Sequence, residues 1–366
     1  MIDRARLVQL RAIEDERFLK IHPKSGELFN QAKKNMPAGV PMSWMSKWPG
    51  AYPVFVGEAK GASFIDVDGN TYVDFCLGDT GSMTGHSPTA TVAAIKEQVG
   101  RGLSAMLPTK DAAVVSVDLA ARFKLPLWQF TVSATDANRW AIRLARLATG
   151  KSKILVFSYC YHGSVDEALI VVGPDGEGMS RPGNVGSPVD VTETSRVAEF
   201  NDLEGLERQL KRGDVAAVLM EPALTNIGIV LPEPGYLDGV RELTRKYDTL
   251  LIIDETHTFS AGYGGMTRRD HLEPDVFVIG KAIAGGIPTG TYGLSAEFAE
   301  KVLARTDLDL VDMGGVGGTL AGNPLSVAAM RATLEQVLTE DAFDKMIDLA
   351  TYFTDGVNEL FALQIS

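Results

Sequence analysis

The chain has only two cysteines, Cys76 and Cys160, in 366 residues. That is too few and too unpatterned for a disulfide scaffold or a zinc site, so a reducing compartment fits and no metal is expected. There is no surplus of basic charge either. The 35 Lys and Arg against 47 Asp and Glu leave a net charge of −12, which argues against nucleic acid or an anionic membrane as partner. No apolar window approaches the length of a membrane span, and the charged N-terminus lacks the apolar core of a signal peptide, so the expected location is the cytoplasm. No strand-like run is followed by a G-x-G-x-x-G turn, which disfavours a nicotinamide-dependent dehydrogenase. Internal repeats and low-complexity linkers are missing. With 45% hydrophobic and 22% charged residues, what is present suits a globular chain of one large or two ordinary domains.

Residues 1–35 carry Leu7, Leu10, Ile13, Phe18 and Leu19 at helical spacing and read as a docking or dimer-contact arm. Residues 36–50 are rich in Pro, Gly, Met and Trp and suit a loop packed over something. Residues 62–75 alternate around Asp68-Gly69-Asn70, a strong hairpin signal. From about residue 90 strands and helices alternate, as in a doubly wound parallel sheet. The pattern predicts strands at 129–132, 154–157, 215–220, 250–253 and 276–279. It predicts helices at 91–101, 111–123, 138–149, 236–247, 324–338 and 341–363, with Asn323-Pro324 starting the penultimate one. The acidic stretch 190–199 reads as a surface excursion.

Two of those strands end on reactive groups. Asp254 follows 250–253, and Lys281 follows 276–279 after one glycine, so both belong at the carboxyl edge of the sheet, where open α/β folds bind ligands. A lysine between an apolar strand and Ala-Ile-Ala-Gly-Gly loses water around its ammonium, which favours the amine that forms Schiff bases. Taken alone, Lys281 is as readily structural as catalytic. Asp254 changes the balance, because a pyridoxal cofactor needs a lysine for its aldehyde and a carboxylate for its ring nitrogen. Such a cofactor also needs a phosphate site. Strand 129–132 runs into Ser133-Ala134-Thr135 and a helix, whose free N–H groups suit an anion, although a simple serine N-cap is the plainer reading. Tyr161, past the end of strand 154–157, is either a core residue or a ring for stacking.

Together these segments resemble the class III aminotransferases of fold type I, which depend on pyridoxal 5′-phosphate, and the branch that includes glutamate-1-semialdehyde 2,1-aminomutase. The resemblance rests on MPAGV at 36–40, DVDGNTYVDF at 66–75, SATDA at 133–137, YHG at 161–163, EP at 221–222, IIDET at 252–256, GKAIAGG at 280–286 and GGTLAGNPL at 317–325. It implies a large, mainly parallel sheet domain over 61–310. A small α+β domain would be built from 1–60 and from 311–366, the latter incomplete. It also implies that Lys281 forms the Schiff base and shuttles the proton, and that Asp254 pairs with the pyridine nitrogen. Ser133, Ala134 and Thr135 would bind the phosphate and Tyr161 would stack on the ring, with His162, Glu221 and Thr256 around the cofactor. Thr319 would reach the phosphate of the neighbouring subunit of a homodimer. Glu221 is equally readable as a buried structural group, and Asn226 would lie near the substrate.

Several residues depart from the family pattern. Ala134 replaces the usual glycine and Thr256 a common valine. The loop 37–45 (PAGVPMSWM) lacks the arginine with which the aminomutase binds a substrate carboxylate, a loss that a point charge elsewhere does not repair. Met42, Trp44 and Met45 would form an apolar wall there, and His257 would either touch substrate or only pack. The expectation is therefore a ping-pong transaminase using a small-molecule amine or amino acid, bulky or aromatic to suit that wall, and a keto acid. Intramolecular amino transfer of the aminomutase type is the alternative. A noncatalytic ligand-binding protein with the same fold would be colourless.

Overall fold

The computed structural model describes residues 3–307 and 315–365. The chain forms two compact units, one of residues 1–79 and 85–88, the other of 80–84 and 89–366. Residues 61–79, expected in the large domain, thus pack with the N-terminal unit. The expected boundary at 310–311 lies outside the described residues.

In the N-terminal unit the helical arm is two helices, α1 (Arg4–Ile21) and α2 (Pro23–Ala32). Pro23 causes the break: it lacks the N–H that would continue α1 but fits the first turn of a new helix. Strands β1 (Val56–Lys60), β2 (Ser63–Asp66) and β3 (Thr71–Val73) make the antiparallel hairpin sheet. Asp68, in the expected β2–β3 turn, accepts from the N–H groups of Lys24 and Ser25 at 2.7 and 3.0 Å. It thereby satisfies orphan donors of the first turn of α2. The loop 36–50 leaves Met42, Trp44, Met45 and Trp48 exposed.

The larger unit is a seven-stranded sheet. In chain order it contains α3 (Thr89–Val99), α4 (Lys110–Phe123), β4 (Leu127–Thr131), α5 (Ala134–Thr149), β5 (Lys153–Phe157), the small hairpin β6 (Ile170–Val172) and β7 (Gly178–Ser180), α6 (Val191–Thr194) and β8 (Ser195–Ala198). It continues through α7 (Leu203–Leu210), β9 (Val215–Met220), α8 (Tyr236–Lys246), β10 (Leu250–Asp254), α9 (Gly265–Arg269), β11 (Val276–Gly280), β12 (Gly290–Leu294), α10 (Ala296–Leu303), α11 (Pro324–Gln336) and α12 (Glu340–Ile365). The strand order is β4-β12-β11-β10-β9-β5-β8, and only β12 runs against the others.

Both faces of this sheet are covered, which is why its central strands are continuous apolar runs. Along β11 the side chains alternate: Val276 and Val278 join a core with α5, α7 and α8, whereas Phe277 and Ile279 join a second core with α4 and α11. Two elements differ from the sequence expectation. The segment 190–199 is not a surface excursion, because Ser195, Val197 and Ala198 are buried in edge strand β8, paired with β5. Strand β12 escaped notice because Gly290 and Gly293 weaken any strand signal. Tight packing explains both, since a Cβ at Gly290 would lie 2.6 Å from the Ser133 carbonyl and one at Gly293 would lie 2.7 Å from the Trp128 ring.

Candidate active site

The carboxyl ends of β4, β5, β9, β10 and β11 carry most of the expected groups. Parallel pairing of β10 with β11 sets Asp254 opposite Val278, so Lys281 leaves the next strand three residues beyond that level. Asp254 is 3% exposed. Its Oδ2 accepts from Asn138 Nδ2 at 2.8 Å and lies 2.9 Å from His162 Nδ1, and its Oδ1 accepts from the Thr256 N–H at 3.0 Å. Burial alone would raise its pKa, but the hydrogen bonds and charge of His162, helped by Thr256 and Asn138, hold the carboxyl below its usual range. His162 is pushed the other way. Burial would lower it, yet Cys160 and Asp254 beside the ring raise it well above its ordinary value. The hydrogen bonds around Asp254 thus work against the burial that would favour its neutral form.

Lys281 opens a short 3-10 helix, Lys281–Ala284, in the left-handed region at φ 52°. A side chain with a Cβ is costly there, and such strain collects where surrounding structure fixes a working group. Its Nζ lies 2.7 Å from His257 Nε2, while His257 Nδ1 lies 3.3 Å from Thr80 Oγ1. His257 therefore contacts the lysine, which the sequence reading had not anticipated.

At the end of β4, Ser133 caps α5, its Oγ accepting from the Asp136 N–H at 3.2 Å. The N–H groups of Ala134 and Thr135 lie in the first turn, where no preceding carbonyl serves them. Ala134 keeps a negative φ, so the missing glycine costs no strain here. Gly163, at φ 78°, lets the Tyr161-His162-Gly163 segment pass close to this loop, because a Cβ there would sit 1.9 Å from Thr135 Oγ1. Tyr161 is 38% exposed. Its N–H donates to Glu221 Oε1 at 3.2 Å, and Thr225 also donates to Glu221. Burial raises the Glu221 pKa. Asn226 is half-buried in the loop after β9, and Thr319 is exposed. Met42 Sδ accepts from the Trp44 N–H at 3.2 Å within the N-terminal unit.

Sequence reasoning missed two supporting residues. Asn138 is buried on α5, and its bond to Asp254 joins residues far apart in sequence. Glu255, fully buried, accepts from Thr258 Oγ1 at 2.6 Å and the Met266 N–H at 3.2 Å. It fixes the segment after Asp254.

A pyridoxal phosphate fits these residues on structural grounds. Thr256 Oγ1, His162 Nε2 and Asn138 Oδ1 are buried without a hydrogen-bond partner among the described residues. Groups of that kind are expected to find one, and all three surround Asp254. The helix N-terminus at Ser133 offers an anion cradle, and Lys281 offers an amine.

A doubly wound, mainly parallel sheet with this carboxylate and lysine at adjacent strand ends defines a fold type I transferase. The chain belongs to the class-III aminotransferase family, whose model matches residues 44–364. It is 36% identical over 342 residues, 92% of this chain and 78% of the relative, to a glutamate-1-semialdehyde 2,1-aminomutase of Desulfitobacterium hafniense. A solved glutamate-1-semialdehyde aminomutase of Pseudomonas aeruginosa shares 48% identity, with a TM-score of 0.93 over 97% of this chain and 80% of that one. A variant of it was solved in complex with PMP. An omega-transaminase of Sphaerobacter thermophilus is 31% identical, with a TM-score of 0.83 over 92% of this chain and 78% of that one.

Proposed function

We propose that this enzyme uses pyridoxal 5′-phosphate to move an amino group within one small amino aldehyde, the reaction type of glutamate-1-semialdehyde 2,1-aminomutases. The cofactor reading is carried by Asp254, a buried carboxyl held below its usual range one strand away from Lys281. The choice of aminomutase draws on relatives of that name, up to 48% identical over nearly the whole chain. It replaces the preference for a transaminase that the loop 37–45 suggested.

When bound, the cofactor supplies an aldehyde that condenses with amines and a protonated ring that draws electrons from the substrate carbon. Lys281 holds the aldehyde and carries the proton between carbons. Asp254, braced by His162, Asn138 and the Thr256 N–H, keeps negative charge at the ring nitrogen. Ser133 with the N–H groups of Ala134 and Thr135 takes the phosphate, and Tyr161 stacks on the ring. Glu221 anchors the Tyr161 backbone, and Asn226 contacts substrate. Thr319, exposed at a loop, reaches the phosphate of a second copy in a cytoplasmic homodimer.

The second reading is an intermolecular transaminase, favoured by one observation: residues 37–45 hold no arginine, and Met42 and Trp44 offer mainly apolar surface without a cation. Turnover of glutamate-1-semialdehyde without a second substrate supports the aminomutase. Turnover only with an amine donor plus pyruvate overturns it in favour of the transaminase.

A further inference from the structure

One side chain that meets the reactive amine, His257, has no role in the mechanism above. His257 follows the Asp254-Glu255-Thr256 run and precedes the short 3-10 helix Thr258–Ala261. Its ring is half-buried, and each ring nitrogen faces a polar group: Nε2 faces Lys281 Nζ at 2.7 Å, and Nδ1 faces Thr80 Oγ1 at 3.3 Å. A ring held only for packing has no need of both contacts.

Proton counting makes the arrangement directional. A lysine ammonium has three donors and no acceptor, whereas a neutral imidazole has one of each. With Lys281 protonated, Nε2 must accept, so the ring proton sits on Nδ1, toward the Thr80 hydroxyl, which can accept it. If one proton crosses, the Nζ–H bond breaks and an Nε2–H bond forms. The charge moves to the imidazole, and the neutral amine becomes the acceptor in the same contact. Either state leaves a satisfied hydrogen bond, and no other reactant is consumed. The strained backbone at Lys281 and the Thr80 contact keep the two nitrogens in register.

We propose that His257 accepts the proton Lys281 must lose before its nitrogen can attack a carbonyl, and returns it afterwards. This rests on the reading of Lys281 as the nucleophilic amine. It also assigns to proton handling a histidine that the sequence left between substrate contact and packing.

The test uses apoprotein at one fixed pH. Coupling of added pyridoxal phosphate to Lys281 is followed by stopped-flow absorbance and borohydride trapping, and pyridoxamine phosphate, which cannot couple, reports on the intact site. His257→Gln and His257→Phe should bind pyridoxamine phosphate as the parent does. They should couple pyridoxal phosphate about a hundredfold more slowly, and added imidazole should restore much of the rate to His257→Phe. Coupling at the parental rate overturns the proposal. So does a loss of pyridoxamine phosphate binding that matches the slower coupling, or an imidazole-insensitive defect. Lys281→Ala separates the two claims. Trapped label persisting in that variant means that the nucleophile itself was misassigned, whereas label lost there with normal coupling in both His257 variants refutes only the role of His257.

Discussion

The ends of β10 and β11 lie side by side in one sheet and are built in opposite ways. At the end of β10, Asp254 is sealed in, with Asn138, the Thr256 N–H and the imidazole of His162 around its two oxygens. At the end of β11, Lys281 sits half-buried on a strained left-handed backbone, and its long side chain meets a half-buried histidine. One end immobilises a charge and the other gives an amine room to change partners. Adjacent parallel strands can therefore present a fixed carboxylate and an amine at the same edge of the sheet. The apolar runs of the two strands are interchangeable in character, and the residues just past them make the difference.

The contrast can be broken most sharply at the moving end. Lys281→Ala should lower turnover by at least about 10³-fold, in the range set by loss of acid-base and covalent roles together, while Asp254 and its partners keep the fold stable. Steady-state kinetics with a parallel denaturation curve checks both halves. At the fixed end, Asp254→Asn keeps the shape but loses the charge, and turnover should fall about 10²- to 10³-fold. An equal fall in thermal stability without a kinetic effect would assign Asp254 to structure alone.

The paired pKa shifts give a pH signature. Asp254 is held low, so its contribution to stability is present above about pH 4 and is lost as pH falls through its lowered folded value. His162 is held high, so its contribution is complete below about pH 6.5 and is lost as pH rises through its raised folded value. His162→Gln should therefore destabilise by about 1–3 kcal/mol between those limits, with the difference shrinking on both sides. Urea titrations across the range read this directly, and a flat difference would contradict the ion-pair assignment.

Smaller effects probe the walls. Gly163→Ala forces a left-handed alanine against Thr135 and should cost about 1–3 kcal/mol. Thr256→Val removes a buried hydroxyl that lacks a partner among the described residues. Apoprotein stability should then stay within about 1 kcal/mol of the parent, or rise. If the hydroxyl serves the cofactor, the change appears instead as weaker pyridoxamine phosphate binding.

The sequence made the strands with long apolar runs legible, β9, β10 and β11 almost to the residue, because burial on both faces leaves no polar alternation to confuse the pattern. The Asn323 cap was readable for the same local reason: its side chain accepts from the Ser326 N–H at 2.9 Å. Strand β8 was hidden because four residues flanked by acidic groups carry too little signal. Strand β12 was hidden because its glycines answer to neighbours on β4 and at Ser133 rather than to strand propensity. In the site, strand-end charges could be found by position. The Asn138 and His162 bonds to Asp254 join residues distant in sequence, and the contact of His257 with Lys281 depends on how the chain turns after Thr256. Nothing local encodes those meetings.

The central claim is that Lys281 is the amine poised beside the fixed charge of Asp254. Borohydride reduction of the protein with pyridoxal phosphate, followed by peptide mass analysis, tests it most directly. One phosphopyridoxyl group is expected on the peptide that carries Lys281, with no label in Lys281→Ala. Label on a different lysine, or label undiminished in that variant, would contradict it.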